Sequence, residues 1–90
     1  MKELSMTKIE FGLSMRRSDR IAEQAKAIES LGYDYATTGE HVFFHVPTAN
    51  AFISLAVAAG ATTHLKLMST ITLLPLYPAA LAAKQVAALD

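Results

Sequence analysis

The period of apolar positions switches repeatedly along the chain. Ile9, Phe11 and Leu13 alternate with other residues across Lys8–Ser14, which predicts a short strand. Beyond it, Ile21, Ala22, Ala25, Ile28 and Leu31 recur at helical spacing, with Arg20, Glu23, Gln24, Lys26 and Glu29 on the other side. That pattern predicts an amphipathic helix. Ser18 is its expected N-cap, Asp19 falls in the first turn, and Gly32 stands where a left-handed residue ends a helix. Tyr33–Thr38 predicts a second strand, closed by Gly39-Glu40-His41, and Val42–Pro47 a loop. Thr48 is the expected cap of a second helix over Ala49–Ala59, ended by Gly60 and the Thr62-Thr63 pair. Leu65–Thr72 predicts a third strand, Leu73–Pro78 a loop stiffened by Pro75 and Pro78, and Ala79–Leu89 a third helix of strong helix formers. Residues 1–7 read as an N-terminal tail, and 8–90 as the structured unit.

Strand and helix therefore alternate three times. Such alternation predicts an α/β fold with a parallel sheet and right-handed crossovers. Strands begin near residues 8, 33 and 65, so each unit takes roughly 25 to 32 residues. Eight such units would make about 250 residues, the usual size of a TIM barrel. The expected fold is a parallel (βα)3 portion of a TIM (β/α)8 barrel, incomplete at 90 residues. An open flavodoxin-like sheet begins with the same units, and the periodicity leaves strand order open.

Composition narrows the functional classes. Hydrophobic residues make up 52% and charged residues 18%, with eight basic against eight acidic side chains. The chain has the apolar surface to fold, but more of it than so short a domain can cover by itself. The zero net charge and lack of a basic face argue against nucleic acid as a partner. The longest stretch free of polar side chains, Leu55–Ala61, is far short of a membrane span, and Met1–Lys8 lacks the apolar core of a signal peptide. The absence of cysteine removes disulfides and thiolate metal sites and fits a cytoplasmic location.

In a parallel barrel, reacting groups sit at the C-terminal ends of strands. Three segments occupy such ends here: Ser14-Met15-Arg16, Gly39-Glu40-His41, and Leu73–Pro78 with the strand residues before it. Gly39 allows a sharp exit from the strand. Glu40 beside His41 offers a carboxylate to hold an imidazole, and an imidazole at a strand end can move a proton or donate to a cofactor. An ordinary hydrogen-bonded loop pair explains the same dipeptide. His41 and His45 have the H-x3-H spacing of zinc ligands, but they lie in a loop with no third ligand, so no metal is expected. His64 precedes the third strand, on the rim a barrel uses for stability. Adjacent Arg16 and Arg17 suit an anion, though loop arginines are commonly solvated. The methionines read as core filler, and Tyr77 either lines a pocket or covers the core.

A wider string carries more. The helix IAEQAKAIESLGYD, followed by Thr38-Gly39-Glu40-His41-Val42, resembles the second unit of the luciferase-like monooxygenase superfamily. LMSTITLLPLYP, at 67–78, resembles that family's third strand and loop, and AAKQVAALD, at 82–90, its third helix. Together these cover nearly all of residues 8–90. The resemblance implies a (β/α)8 barrel that binds FMN or 8-hydroxy-5-deazaflavin at its C-terminal mouth. It implies that His41 lies close to the flavin ring and that Glu40 shapes the pocket. Those two are the catalytic candidates. It assigns Thr70-Ile71, with His41, to cofactor binding, through a third-strand bulge that in many deazaflavin-using relatives contains a non-prolyl cis peptide. Ser14 and Met15 would line the substrate side. Ala36-Thr37-Thr38 departs from the bulkier residues common in this second strand.

The leading expectation is the N-terminal part of a flavin-dependent oxidoreductase of monooxygenase type. Its partners would be a small-molecule substrate and a flavin reductant, and the 90 residues alone would be inactive and would bind the cofactor only weakly. A competing expectation is a non-catalytic, self-associating half-barrel, because a third-strand edge and one-sided apolar helices favour pairing. A flavodoxin-type binding module is weaker, since no glycine-rich phosphate loop follows the first strand.

Overall fold

The computed structural model describes residues 8–90, so the tail expected over 1–7 lies outside the described residues. Three strands, β1 (Gly12–Ser14), β2 (Tyr35–Thr38) and β3 (Lys66–Ser69), alternate with three helices, α1 (Ile21–Ser30), α2 (Ala51–Ala61) and α3 (Ala79–Leu89). All strands are parallel and lie in the order β1-β2-β3. The flavodoxin order would put the first strand between the second and third; here β2 is central, as in successive units of a (βα) barrel.

Register sorts the side chains by face. Leu13, Ala36 and Leu67 form one row across the sheet, flanked by the rows Gly12-Tyr35-Lys66 and Ser14-Thr37-Met68. Ala36 is fully buried, and Leu67 packs against the same cluster of Met15, Ile21, Ala25, Ile28, Leu55, Ala58 and Leu65. This is the core between sheet and helices. Each large aliphatic side chain in it contributes about 1.5–3 kcal/mol by leaving water. On the opposite face Lys66 bonds Glu10 at 3.0 Å and lies 5.4 Å from the centre of the Tyr35 ring.

The helix ends show which local signals governed. Gly32 has φ +89 and follows Leu31, the C-cap of α1. Its N–H bonds the Glu29 carbonyl and that of Tyr33 the Ile28 carbonyl, which closes the Schellman stop that the glycine predicts. The two predicted N-caps are corrected. Ser18 opens a 3₁₀ turn, Ser18–Arg20, and its hydroxyl accepts from Ala49 N–H at 2.9 Å across the fold. Gln24 tidies the start of α1 instead, its amide bonding the Arg17 and Arg20 carbonyls at 2.6 and 2.9 Å. Thr48 donates to the Val46 carbonyl, and α2 is capped by Asn50, which accepts from Ile53 N–H at 3.1 Å. The first strand is also shorter than its alternation suggested, because β2 pairs only with Gly12–Ser14.

α2 is apolar on almost every side. It buries Phe52, Leu55 and Ala58 yet leaves Ile53 and Val57 64% and 45% exposed. Among the described residues, no helix is long and apolar enough to cross a membrane.

Candidate functional site

Backbone pairing between β2 and β3 continues past their ends. Thr70 N–H bonds the Thr38 carbonyl at 2.7 Å, and Glu40 N–H bonds the Ile71 carbonyl at 3.1 Å. These bonds flank the Thr70-Ile71 peptide, which is cis. Gly39 faces it. A β-carbon on Gly39 would stand 2.6 Å from the Thr70 carbonyl oxygen and 3.0 Å from Ile71 nitrogen. Glycine is thus required for close approach of two backbones. Gly39 does not have positive φ; among the described glycines only Gly32 does.

Glu40 is 7% exposed and is the hub of this rim. Its Oε1 accepts from Ala51 N–H at 2.8 Å, at the start of α2, and its Oε2 from Leu73 N–H at 2.7 Å, in the loop after β3. The Tyr77 hydroxyl donates to the same carboxylate at 3.0 Å and accepts from the Asn50 amide at 2.7 Å. Tyr77 is steadied by an edge contact with Phe52, ring centres 5.3 Å apart. Burial pushes the Glu40 carboxyl pKa up, but the Ala51 and Leu73 N–H groups and the Tyr77 hydroxyl outweigh it, and the net shift is down. The same burial, with Glu40 as acceptor, pushes the Tyr77 phenol up. Glu40 is therefore an anion tying β2, α2 and the β3–α3 loop together. The expectation that it would hold the neighbouring imidazole is replaced by these bonds.

His41 is exposed at the same rim. Its ring stacks on Phe44, centres 4.1 Å apart and planes within 6°, and Phe44 also touches His45 at 4.1 Å. His41 borders a depression of about 390 Å³ with Glu40, Asn50, Leu73, Leu76 and Tyr77. Thr70 and Ile71 are exposed at the end of β3, Ile71 by 70%. Ser14 is exposed at the end of β1, in register with Thr37. Met15 departs from expectation: it is 3% exposed and packs among Ile21, Ala25 and Ile28 on the helix side. Pleating turns consecutive residues to opposite faces, so Ser14 and Met15 do not share a surface. Met15 is a core residue.

Other candidates stand apart from the Glu40 network. Arg17 grips Asp19 with two bonds, of 3.1 and 2.8 Å. His64 lies before β3, 3.3 Å from Glu29. Tyr77 and Asn50 were not readable as members of the Glu40 network, because they join it only through tertiary structure.

The rim brings Thr70-Ile71, just past the end of β3, together with the hydroxyl-bearing Ser14 and Thr37 and with His41. A model of the luciferase-like monooxygenase family matches residues 4–90. A search of curated proteins finds no match. With three parallel βα units in barrel order and the family match spanning nearly the whole sequence, the chain belongs to the luciferase-like monooxygenases, a family of oxidoreductase kind.

Proposed function

We propose that this chain supplies the flavin-facing rim of an oxidoreductase that acts on a small organic molecule with reduced FMN or 8-hydroxy-5-deazaflavin. The observation that carries the reading is the Glu40 hub, which holds the Thr70-Ile71 segment after β3 beside the end of β2 that bears His41. Thr70 and Ile71 would back the ring, and His41 would offer a ring nitrogen at its edge. When bound, the cofactor supplies the redox step, by hydride transfer or reaction with oxygen. The protein's share is orientation, proton handling at His41, and an apolar wall from Leu73 and Leu76. Ser14 is the substrate-side candidate, in line with Thr37. Glu40 acts as a positioning residue, since its carboxylate is already engaged.

The test is an NMR titration of ¹⁵N-labelled protein with FMN and, separately, with the deazaflavin. Shift changes are expected to concentrate at Ser14, Thr37, His41, Thr70 and Ile71 for at least one of the two. Changes confined to the opposite rim, around His64, or no changes with either compound, overturn the reading.

A second reading is favoured by the outward face of α2. Ile53 and Val57 stand exposed on a helix with almost no polar residue, and helices of that kind are normally covered. Self-association through this face is compatible with the catalytic reading or replaces it. Sedimentation decides: an Ile53→Glu variant is expected to sediment as a smaller species than the parent chain.

A further inference from the structure

Phe43 and Phe44 are adjacent in an exposed loop, but they differ in what they do. Phe43 is 92% exposed, whereas Phe44 is 50% exposed because its ring is applied to His41. The stack is face to face, at 4.1 Å and 6°. A contact of that kind takes one face of the imidazole and neither ring nitrogen, which lie on the edge. The loop carrying Phe44 is tethered at both ends. Glu40 N–H bonds Ile71 on one side, and on the other the Ser18 hydroxyl donates to the Pro47 carbonyl at 3.4 Å and accepts from Ala49 N–H at 2.9 Å. Thr48 adds a bond to the Val46 carbonyl. Between these tethers the phenyl ring is what holds the imidazole plane.

We propose that Phe44 is the positioning residue for His41, fixing the ring so that its nitrogens face the rim while its covered face is shut to solvent. The inference rests on the functional reading of His41 given above. It extends that reading to a residue three positions on, whose ring contacts are with His41 and His45. The requirement is for an aromatic face, so tyrosine should serve and leucine, of similar bulk, should not.

The experiment follows the His41 ring by NMR in the parent chain, Phe44→Leu and Phe44→Tyr. In the parent, the His41 ring protons should be displaced upfield by the phenyl ring current. That displacement should vanish in Phe44→Leu and persist in Phe44→Tyr. The ring ¹⁵N shifts report the balance of neutral tautomers, and in Phe44→Leu this balance should move to that of a free histidine side chain, with rescue by Phe44→Tyr. A merely space-filling Phe44 would leave the tautomer balance unchanged in Phe44→Leu. Unchanged ring-proton shifts or an unchanged tautomer balance in Phe44→Leu overturn the inference. An FMN titration of His41→Gln separates the two claims. If His41→Gln binds FMN like the parent, the functional reading of His41 fails while the ring measurements still decide the stack.

Discussion

Gly39 lies flush against the Thr70 carbonyl, so close that a β-carbon at position 39 would sit 2.6 Å from its oxygen. Neither backbone can retreat freely, because Thr70 N–H is bonded to Thr38 and Glu40 N–H to Ile71 on either side of the contact. Gly39→Ala should therefore destabilise the chain by roughly 1–3 kcal/mol, the usual cost of overpacking a site that cannot relax. Gly60 is the control. It sits in α2 with nothing within 4 Å of a built β-carbon. Gly60→Ala should stabilise by up to about 1 kcal/mol, through helix propensity alone. Denaturant unfolding of the two variants should move the midpoint in opposite directions.

Glu40→Gln keeps the shape of the side chain and removes its charge. The carboxylate now satisfies two backbone N–H groups and a phenol. An amide has only one acceptor oxygen, and its NH₂ would meet one of those donors head-on. The expected loss is about 1–3 kcal/mol, the range for leaving a buried donor unsatisfied. Thermal unfolding checks it, and amide exchange should quicken first at Ala51 and Leu73.

The pH dependence follows from the same bonds. Glu40 binds its proton less readily folded than unfolded, because its folded pKa lies below the ordinary value of 4.5. Its stabilisation is thus complete above that value and is lost as pH falls through the lower folded pKa. Acid should weaken the parent chain in that window, and Glu40→Gln should show a shallower acid limb. Equal acid limbs in the two proteins would contradict the assignment.

Much of this architecture is written locally. Ile21, Ala25 and Ile28 mark the buried face of α1, and Gly32 marks its end, because both depend on neighbours within a turn. What sequence spacing concealed lies in contacts between distant segments. Ser18 and Thr48 have good capping chemistry, but Ser18 bonds Ala49, 31 residues away, and Asn50 takes the capping role. Met15 follows Ser14 in a segment that ends a strand, yet pleating sends it to the core. The Glu40 site is similar. Glu40 and His41 are visible as a pair, but the tyrosine that completes the carboxylate's shell is 37 residues on.

Tyr77→Phe isolates that last contact. It removes one hydroxyl that donates to Glu40 and accepts from Asn50, while keeping the ring against Phe52. The two backbone donors to Glu40 remain, so the loss should be smaller than for Glu40→Gln, about 1 kcal/mol. Combined with Glu40→Gln, the two losses should fall short of additive, because both variants break the same bond. A double-mutant cycle by chemical denaturation measures the shortfall. Additive losses would place Tyr77 and Glu40 in separate networks.

On the opposite rim, Glu29 of α1 reaches across to the turn before β3. Its carboxylate accepts from three successive backbone groups, Thr63, His64 and Leu65, at 2.8 to 3.2 Å. Three converging N–H groups form a nest that favours an anion. Those bonds, led by that from His64, lower the Glu29 pKa, although partial desolvation works against them. Glu23, on the same helix, makes only an exposed pair with Arg20, of a kind that adds little stability. Glu29→Gln should therefore lower the melting temperature more than Glu23→Gln. Because the Glu29 carboxyl is depressed, its contribution holds above the ordinary glutamate pKa and fades as pH drops through the folded value. The gap between the two variants should accordingly be wide at neutral pH and close in acid. A gap that persisted unchanged into acid would mean that the Glu29 side chain acts by packing and not as the anion in the nest.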